Sequence, residues 1–375
     1  MKIVIQIGKF ILNLIYDIIK IFPINNKKIT FISRQSNKPS IDILLIEKEI
    51  EKENYKVVIL CKKLEDGILA KISYIFHMFR QMYHLATSKV VVLDSYCIPV
   101  GILKHKKKTN IIQMWHALGA FKKFGKSIID KKDARGEMGI NSKDIAELMG
   151  MHKNYDYLFA SSNYSVKGFS EAFGYSKEKF KVYPMARLDL IIDKENEKNI
   201  KNKIYEKYPS LKKKKNILYC PTFRKEGHDL EKIEELISSI DYKKYNLIVK
   251  LHPLSKYNIK DSKAIIDKTF NTYEIGFISD LIITDYSAVV FELSCLNKPI
   301  YFYAYDKSSY IDNRDFYLNY DKDMPGPICE TVEDLFTKIN NKYDYEKLKK
   351  FKEKYIADCK ESYSKDIANF IISLK

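Results

Sequence analysis

The chain has 375 residues, 46% of them hydrophobic, enough for two domains of ordinary size with real cores. Its 65 lysines and arginines against 48 acidic residues give a net charge of +17. That excess points to an anionic partner, whether nucleic acid, membrane surface or phosphorylated substrate, although a lysine-rich proteome produces the same bias. The six cysteines lie far apart with no CxxC pair, so neither a zinc site nor a small disulfide framework is indicated, and a reducing cytosolic setting fits.

Residues 1–22, MKIVIQIGKFILNLIYDIIKIF, hold Lys9, Asp17 and Lys20, which interrupt any spanning segment. They lack the small-residue cleavage site of a secretory signal. Lys2, Gln6, Lys9, Asn13, Asp17 and Lys20 recur every three or four positions. On a helix they fall within an arc of roughly 80°. Two placements follow: a helix packed on its domain with the polar stripe in water, or a helix lying in a membrane interface. The width of the apolar face favours the interface, or a helix that serves both surfaces.

After Pro23 strands alternate with helices. KKITFIS, YKVVILC, KVVVLDS, TNIIQMWHA and DYLFASS read as strands, and KVYPMARLDLI ends this half. IDILLIEKEIEKE and ISYIFHMFRQMYHLATS read as helices. The charged stretch DKENEKNIKNKIYEKYPSLKKKK reads as a connection with a surface helix. The alternation then resumes, with NILYCPTF, NLIVKLHP, TYEIGFIS, LIITDYS and KPIYFYA as strands and a charged helix from Tyr345 onward. Short apolar runs between helices predict parallel sheets covered on both faces. The architecture expected is α/β, with two doubly wound, Rossmann-like domains facing across a cleft. No GxGxxG loop is present, so a dinucleotide fingerprint is absent.

Chemistry-bearing residues cluster at predicted strand ends. Thr222 and Arg224 follow one strand, Lys250 and His252 the next, and Thr284, Asp285, Tyr286 and Ser287 a third. Open α/β sheets bind ligands at such ends. Ser287 is expected at or near the N-cap of the helix AVVFELSCL, where free N–H groups favour phosphate. Glu292, one turn inside that helix, is expected within reach of nucleotide sugar hydroxyls. In the first half, IQMWHALGAFKKFG puts Trp115 and His116 at a strand end ahead of Lys122 and Lys123. Each residue also has a plain structural reading: capping for Ser287, a solvated or paired helix residue for Glu292, a satisfied histidine before a turn for His252.

WHALGAFKKFG, YPMARLD, YCPTFR, KLHP, ISDLIITDYSAVVFEL and RDFYLNYDKDMPGPI, in this order, closely resemble the CDP-glycerol glycerophosphotransferase family of teichoic acid synthesis. The resemblance spans roughly residues 25–370. It implies a GT-B fold, peripheral association with the cytoplasmic face of the membrane, and transfer of glycerol phosphate from CDP-glycerol to a lipid-linked acceptor with release of CMP. WHALGAFKK looks more like the priming members, which add the first glycerol phosphate, here to an undecaprenyl-diphosphate disaccharide. The extra N-terminal domain of long polymerases is not seen. Ala288 stands where the family often has a second serine, and YPMARLD departs from the family's GxPR, which weakens the match at Arg187.

The resemblance implies His116 as the base that activates the acceptor hydroxyl. His252, Arg224 and Ser287 are suited to the pyrophosphate and leaving CMP, with Arg187, Thr222, Lys250, Thr284, Glu292, Lys122 and Lys123 as further substrate contacts. Trp115 is expected as a packed wall. No metal or cofactor is expected. The organisation expected is a membrane-interface helix over 1–22, an acceptor-side domain over 23–187, a nucleotide-binding domain over 188–344 and a C-terminal helix over 345–375 that crosses back. CDP-ribitol as donor, a capsule polymer as acceptor, a polymerising role, a nucleotide-sugar glycosyltransferase and a homo-oligomer stay open. The lysine runs 104–108 and 212–215 come without any nucleic-acid-binding motif, so no nucleic acid is expected.

Overall fold

The computed structural model describes residues 2–129, 143–224, 230–252, 255, 259, 263–313 and 315–374, with the backbone alone at 311–313. The chain divides into two units. One comprises Met1–Ala117, Phe124–Arg187 and Ala357–Lys375, the other Leu118–Lys123 and Leu188–Ile356.

In the first unit, β1 (Asn25–Ser33), β2 (Lys56–Cys61), β3 (Ser88–Leu93), β4 (Asn110–Gln113), β5 (Tyr157–Ala160) and β6 (Phe180–Val182) form a sheet in the order β2-β1-β3-β4-β5-β6. Every pairing is parallel. Ile29, Phe31, Val90, Val92 and Ile112, at alternating positions, put their side chains on one face. Ile43, Ile46 and Ile50 of α2 (Ile41–Glu51) and Ile367 and Ile371 of the helix Tyr363–Ser373 close over that face. Ser40 caps α2 by accepting the Ile43 N–H.

α1 (Lys2–Ile19) packs beside α3 (Ile68–Thr87). Part of its polar stripe meets the protein, through Asn13 and Lys20, while Lys2, Gln6 and Asp17 of the same stripe are exposed. Asn13 donates to the Ile102 carbonyl at 3.1 Å and accepts the Lys104 N–H at 3.0 Å. Tyr16 is fully buried against His105, and Lys20 donates to the Lys104 carbonyl. The apolar face turns outward, with Ile3, Val4, Phe10 and Ile18 each at least 65% exposed. Ile68, Leu69 and Phe76 of α3 are likewise exposed. The helix therefore packs on its domain with part of its polar stripe in water and much of its apolar face exposed.

In the second unit, β7 (Lys215–Cys220), β8 (Tyr245–Val249), β9 (Ile265–Ile266), β10 (Leu281–Thr284), β11 (Ile300–Tyr303) and β12 (Ile328–Cys329) run parallel in the order β12-β11-β10-β7-β8-β9. TYEIGFIS, expected as a strand, is the helix Thr272–Ile278. Asn271 and Glu274 form a capping box at its start, which decides the local backbone in favour of helix. Lys194–Lys207 is the surface helix expected there. The C-terminal stretch read as one helix is two, Tyr345–Tyr355 in the second unit and Tyr363–Ser373 in the first.

Ile371 is fully buried in the first core although it lies near the end of the chain. Ile371→Ala is expected to cost about 2–5 kcal/mol, the range for a buried large-to-small change. Urea denaturation followed by circular dichroism measures it.

Candidate active site

Strand order locates a crevice in each unit. In the first, β2 lies on one side of β1 and β3 on the other, so the connections after β1 and β3 diverge. In the second, the same reversal falls between β7 and β10. Ligands bind open α/β sheets at the carboxyl ends flanking such a reversal.

At the first reversal stand Ser33 at the end of β1, Arg34 and Gln35 after it, and Asp94 and Ser95 after β3. Trp115 and His116 follow β4 next door. Trp115 has a positive φ of 61°, the left-handed region that a bulky residue seldom occupies. Its N–H is held by Gln113 Oε1 at 3.0 Å, and its ring stacks on Phe124 at 4.8 Å and meets Phe173 edge-on. This turn aims His116 back at β3, where Nδ1 lies 2.8 Å from the Asp94 backbone carbonyl. A carbonyl only accepts, so this shorter contact puts the hydrogen on Nδ1 and leaves Nε2 its lone pair, with the Gln35 amide a further 3.2 Å neighbour of Nδ1. Burial, aided by the Arg187 charge, lowers the His116 pKa, while the Asp94 carbonyl and Asp42 oppose the shift. The imidazole is thus a neutral base at pH 7.

Arg187 braces this loop. Its Nε and Nη2 grip Asp42 of α2 at 2.9 and 2.6 Å, and Nη2 also reaches the His116 carbonyl at 3.3 Å. Asp42 is almost fully buried. The pair thereby ties the start of α2 to the histidine turn.

Asp94 escaped the reading of the sequence. Only 2% of it is exposed, yet among the described residues no donor meets either carboxylate oxygen at hydrogen-bonding geometry. Burial pushes its pKa up to about 6, with a smaller push from Asp42, while the nearby hydroxyls of Ser33 and Ser95 pull it down. The signal was visible as an acidic residue directly after the apolar run KVVVL.

The WHALGAFKKFG motif is shared between the units. Trp115 and His116 belong to the first, and Leu118–Lys123 to the second. Gly119 lies so close to Phe291 that a Cβ would sit 2.3 Å from its ring. Lys122 forms an isolated antiparallel bridge with Phe316 and donates to Tyr310 Oη at 2.7 Å. Lys123 bonds Asp315 through its backbone at 2.9 Å and its amino group at 3.3 Å.

At the second reversal, Thr222 and Arg224 follow β7 and Asp285 follows β10. Asp285 Oδ1 accepts both the N–H and the hydroxyl of Thr222, at 2.8 and 2.6 Å. Its Oδ2 accepts from Arg224 Nη1 at 2.9 Å. Arg224 is also bidentate on Asp306, at 2.7 and 3.0 Å, and lies over the rings of Tyr286, Tyr305 and Tyr310. These contacts commit the guanidinium to the loops of its own unit. Lys250 is committed too, donating to Asp267 Oδ2, the Asp267 carbonyl and the Phe270 carbonyl. Thr284 is fully buried and donates to the Cys220 carbonyl.

His252, after β8, is exposed, and its pKa is lowered by partial burial and by the Lys122 charge. Ser287 is half-buried and accepts the Val289 N–H at 3.4 Å. It is not the helix N-cap, because the helix is only Val290–Ser294 with Val289 as its cap. Turn bonds from Val290 to Ser287 and from Phe291 to Ala288 occupy the preceding residues. Glu292 lies inside that helix and is 7% exposed. Pro253 and Arg314 of the quoted motifs lie outside the described residues. Among the described residues no group of three or more His, Cys, Asp or Glu side chains is placed to hold a metal ion.

Residues 14–373 match the family described as CDP-Glycerol:Poly(glycerophosphate) glycerophosphotransferase. The chain belongs to that family. It is 32% identical over 366 residues to the teichoic acid ribitol-phosphate primase of Bacillus spizizenii, covering 94% of this chain and 92% of the relative. It is 33% identical over 308 residues to the teichoic acid glycerol-phosphate primase of Bacillus subtilis, covering 80% and 77%. Against the poly(ribitol-phosphate) polymerase of Bacillus spizizenii the identity is 30%, over 95% of this chain and 58% of the relative. A solved structure of the wall teichoic acid polymerase TagF superposes with a TM-score of 0.72 at 21% identity, covering 98% of this chain and 94% of that one. The UDP-GlcNAc 2-epimerase of Methanocaldococcus jannaschii shares the fold at a TM-score of 0.56 and 14% identity, covering 92% and 99%. This member of the glycerophosphotransferase family is thus a transferase of teichoic acid biosynthesis with a GT-B-type fold, as the motifs implied. No helix among the described residues is long and apolar enough to cross a membrane.

The Asp94 carboxyl has a direct consequence for stability. Its folded pKa of about 6 lies above the usual 3.8, so the folded state holds the proton more tightly than the unfolded chain. The stability this confers is fully present below about pH 4 and is lost as pH rises through about 6. Asp94→Asn is expected to stabilise the unliganded protein near pH 7.5 by up to ~3 kcal/mol, from a shift of about two units. Near pH 4 it is expected to change little. Urea titrations at the two pH values read the difference.

Proposed function

We propose that this protein transfers glycerol phosphate from CDP-glycerol to a lipid-linked wall teichoic acid precursor, releasing CMP, and that it performs the priming step. The observation that carries the reading is His116, a neutral imidazole with its Nδ1–H fixed on the Asp94 carbonyl and Nε2 left as a base. In the reaction, Nε2 takes the proton of an acceptor hydroxyl. The hydroxyl oxygen attacks the β-phosphorus of CDP-glycerol, and the bond to the α-phosphate oxygen breaks to release CMP. In the second unit, His252 and Ser287 at strand ends and Lys122 of the Leu118–Lys123 segment serve the phosphates. The priming role draws on WHALGAFKK and on similarity to primases over most of both chains.

A ribitol donor is the second reading, favoured by the ribitol-phosphate primase that matches over 94% of this chain. Incubation with CDP-glycerol or CDP-ribitol and a lipid-linked disaccharide analogue, followed by mass analysis, decides between them. Addition of one glycerol phosphate is expected. His116→Ala is expected to lower kcat by about 10²–10⁴-fold with CMP binding retained, the usual loss for a general base. A variant keeping more than about a tenth of the wild-type rate removes His116 from that role.

The acceptor's lipid tail requires work at the cytoplasmic face of the membrane, as a peripheral protein. The outward apolar face of α1, with the exposed residues of α3, fits the hydrocarbon boundary. Lys107 and Lys108 are exposed near the end of α1, where Lys106 donates to the Phe22 carbonyl. Basic residues beside an anionic leaflet add about 1 kcal/mol each. Ile7→Asp with Phe10→Asp is expected to weaken sedimentation with anionic liposomes at least tenfold without loss of fold, since both side chains are more than half exposed. Equal sedimentation of the double variant and wild type takes the anchor away from α1.

A further inference from the structure

Away from the His116 crevice, the first unit holds a cavity of about 560 Å³ at the far edge of its sheet. One wall is Lys181–Pro184, the end of β6 and the residues after it. The other is Asp358–Glu361 and one side of the helix Tyr363–Ser373. β6 is the edge strand, two places from β4, which leads to His116. Ala357 donates to the Ser161 carbonyl at 2.8 Å, so the chain entering the second wall lies at the end of β5. No residue assigned above to phosphoryl transfer lines the cavity.

The lining mixes aromatic surface with groups of both charges. The rings of Tyr183 and Phe370 stand 5.2 Å apart at their centroids. The side chains of Lys181, Tyr183, Asp358, Lys360 and Asn369 form no hydrogen bond or ion pair among the described residues. The Lys181 ammonium lies 6.0 Å over the Tyr157 ring, and Asp366 spends only Oδ2, on the Lys360 N–H at 2.6 Å. Glu361 is taken by Lys365. Asp358, Lys360 and Asn369 are exposed, so their polar atoms are open to an incoming ligand.

A cavity of this size falls in the range of small-molecule sites, and aromatic surface with a few convergent polar groups is their usual make-up. Charge narrows the class. The two ammonium groups are balanced by the carboxylates of Asp358 and Asp366, so an anion meets as much repulsion as attraction. A hydroxyl both donates and accepts, so neighbouring hydroxyls engage a carboxylate and an ammonium together. The C–H face of a sugar ring suits the negative face of an aromatic ring. We propose that this cavity binds a neutral saccharide of one or two rings, with hydroxyls on Asp358, Asp366, Lys181 and Asn369 and a ring face against Tyr183 and Phe370. Pro184 stands three residues before Arg187, where the chain leaves the first unit, and Asp358 one residue after Ala357, where it returns. A saccharide touching both walls ties these two stretches together. Binding here is separate from the transfer proposed above and does not depend on it.

The test uses the full-length protein with cellobiose and chitobiose as probes and pyrophosphate as the anionic control. Calorimetry is expected to give a Kd near or below about 1 mM for at least one disaccharide. Hydrogen exchange with that sugar present is expected to slow the amides of residues 181–183 and 358–373 and to leave those of 115–117 unchanged. Asn369→Trp fills the cavity from an exposed helix position, and Asp358→Ala with Lys181→Met removes two polar contacts. Each variant is expected to bind the sugar at least tenfold more weakly with an unchanged melting curve, and the double variant decides if Asn369→Trp does not fold. Absence of binding by both disaccharides overturns the proposal, as does wild-type affinity in the folded variants. Protection confined to the residues around His116 assigns the sugar to the transfer site and also overturns it. Protection of the same two walls by pyrophosphate overturns the neutral class of ligand.

Discussion

Both sheets are wholly parallel, and that constraint organises everything else. A parallel strand must be followed by a crossover before the next begins, so all strand ends gather on one edge of each sheet. The loops that leave that edge carry the polar residues, while the strands between are apolar on both faces. Where the order of strands reverses, the two departing loops diverge and leave room. His116, Asp94 and the residues after β1 occupy that position in the first unit, and Thr222, Arg224 and Asp285 in the second.

Polar groups collected at a half-buried edge must be compensated. Arg187 is set on Asp42, Arg224 on Asp285 and Asp306, and Lys250 on Asp267, with each of these basic side chains no more than about a fifth exposed. Removing one partner of such a pair strands the other charge. These pairs therefore read as braces that hold loops to strands. Among the described residues Asp94 is set apart by having no basic side chain paired with it. Burial keeps its pKa raised, against the pull of the Ser33 and Ser95 hydroxyls.

The fold class and the family were legible because they depend on repeated features. Apolar runs bounded by helical segments gave the parallel sheets, and six motifs in fixed order gave the family. Features that depend on one or two local bonds were not. TYEIGFIS has strand-like composition, and the Asn271–Glu274 box that makes it helical lies partly outside the run. Ser287 looks like an N-cap by residue type, but turn bonds delay the helix to Val290. The division of WHALGAFKKFG between units follows from Lys122 and Lys123 meeting Phe316 and Asp315, nearly two hundred positions away in sequence. Periodicity placed the polar stripe of α1 correctly but carried no sign. Asn13 and, beside the stripe, Tyr16 find partners at Ile102, Lys104 and His105, and that seats the middle of the helix on the protein.

The single tryptophan shows how the edge holds a strained turn. A left-handed backbone at a bulky residue costs on the order of 1–3 kcal/mol and persists only where its surroundings over-determine it. Here they do. Gln113, fully buried, donates to the Ser95 carbonyl and accepts the Trp115 N–H, which joins the ends of β3 and β4. Stacking on Phe124 and edge contact with Phe173 hold the indole, at about 0.5–1.5 kcal/mol for each aromatic pair. The turn so fixed is what points His116 back to the Asp94 carbonyl. Packing and chemistry are thus not alternatives at Trp115: the ring is a wall, and the wall sets the direction of the base.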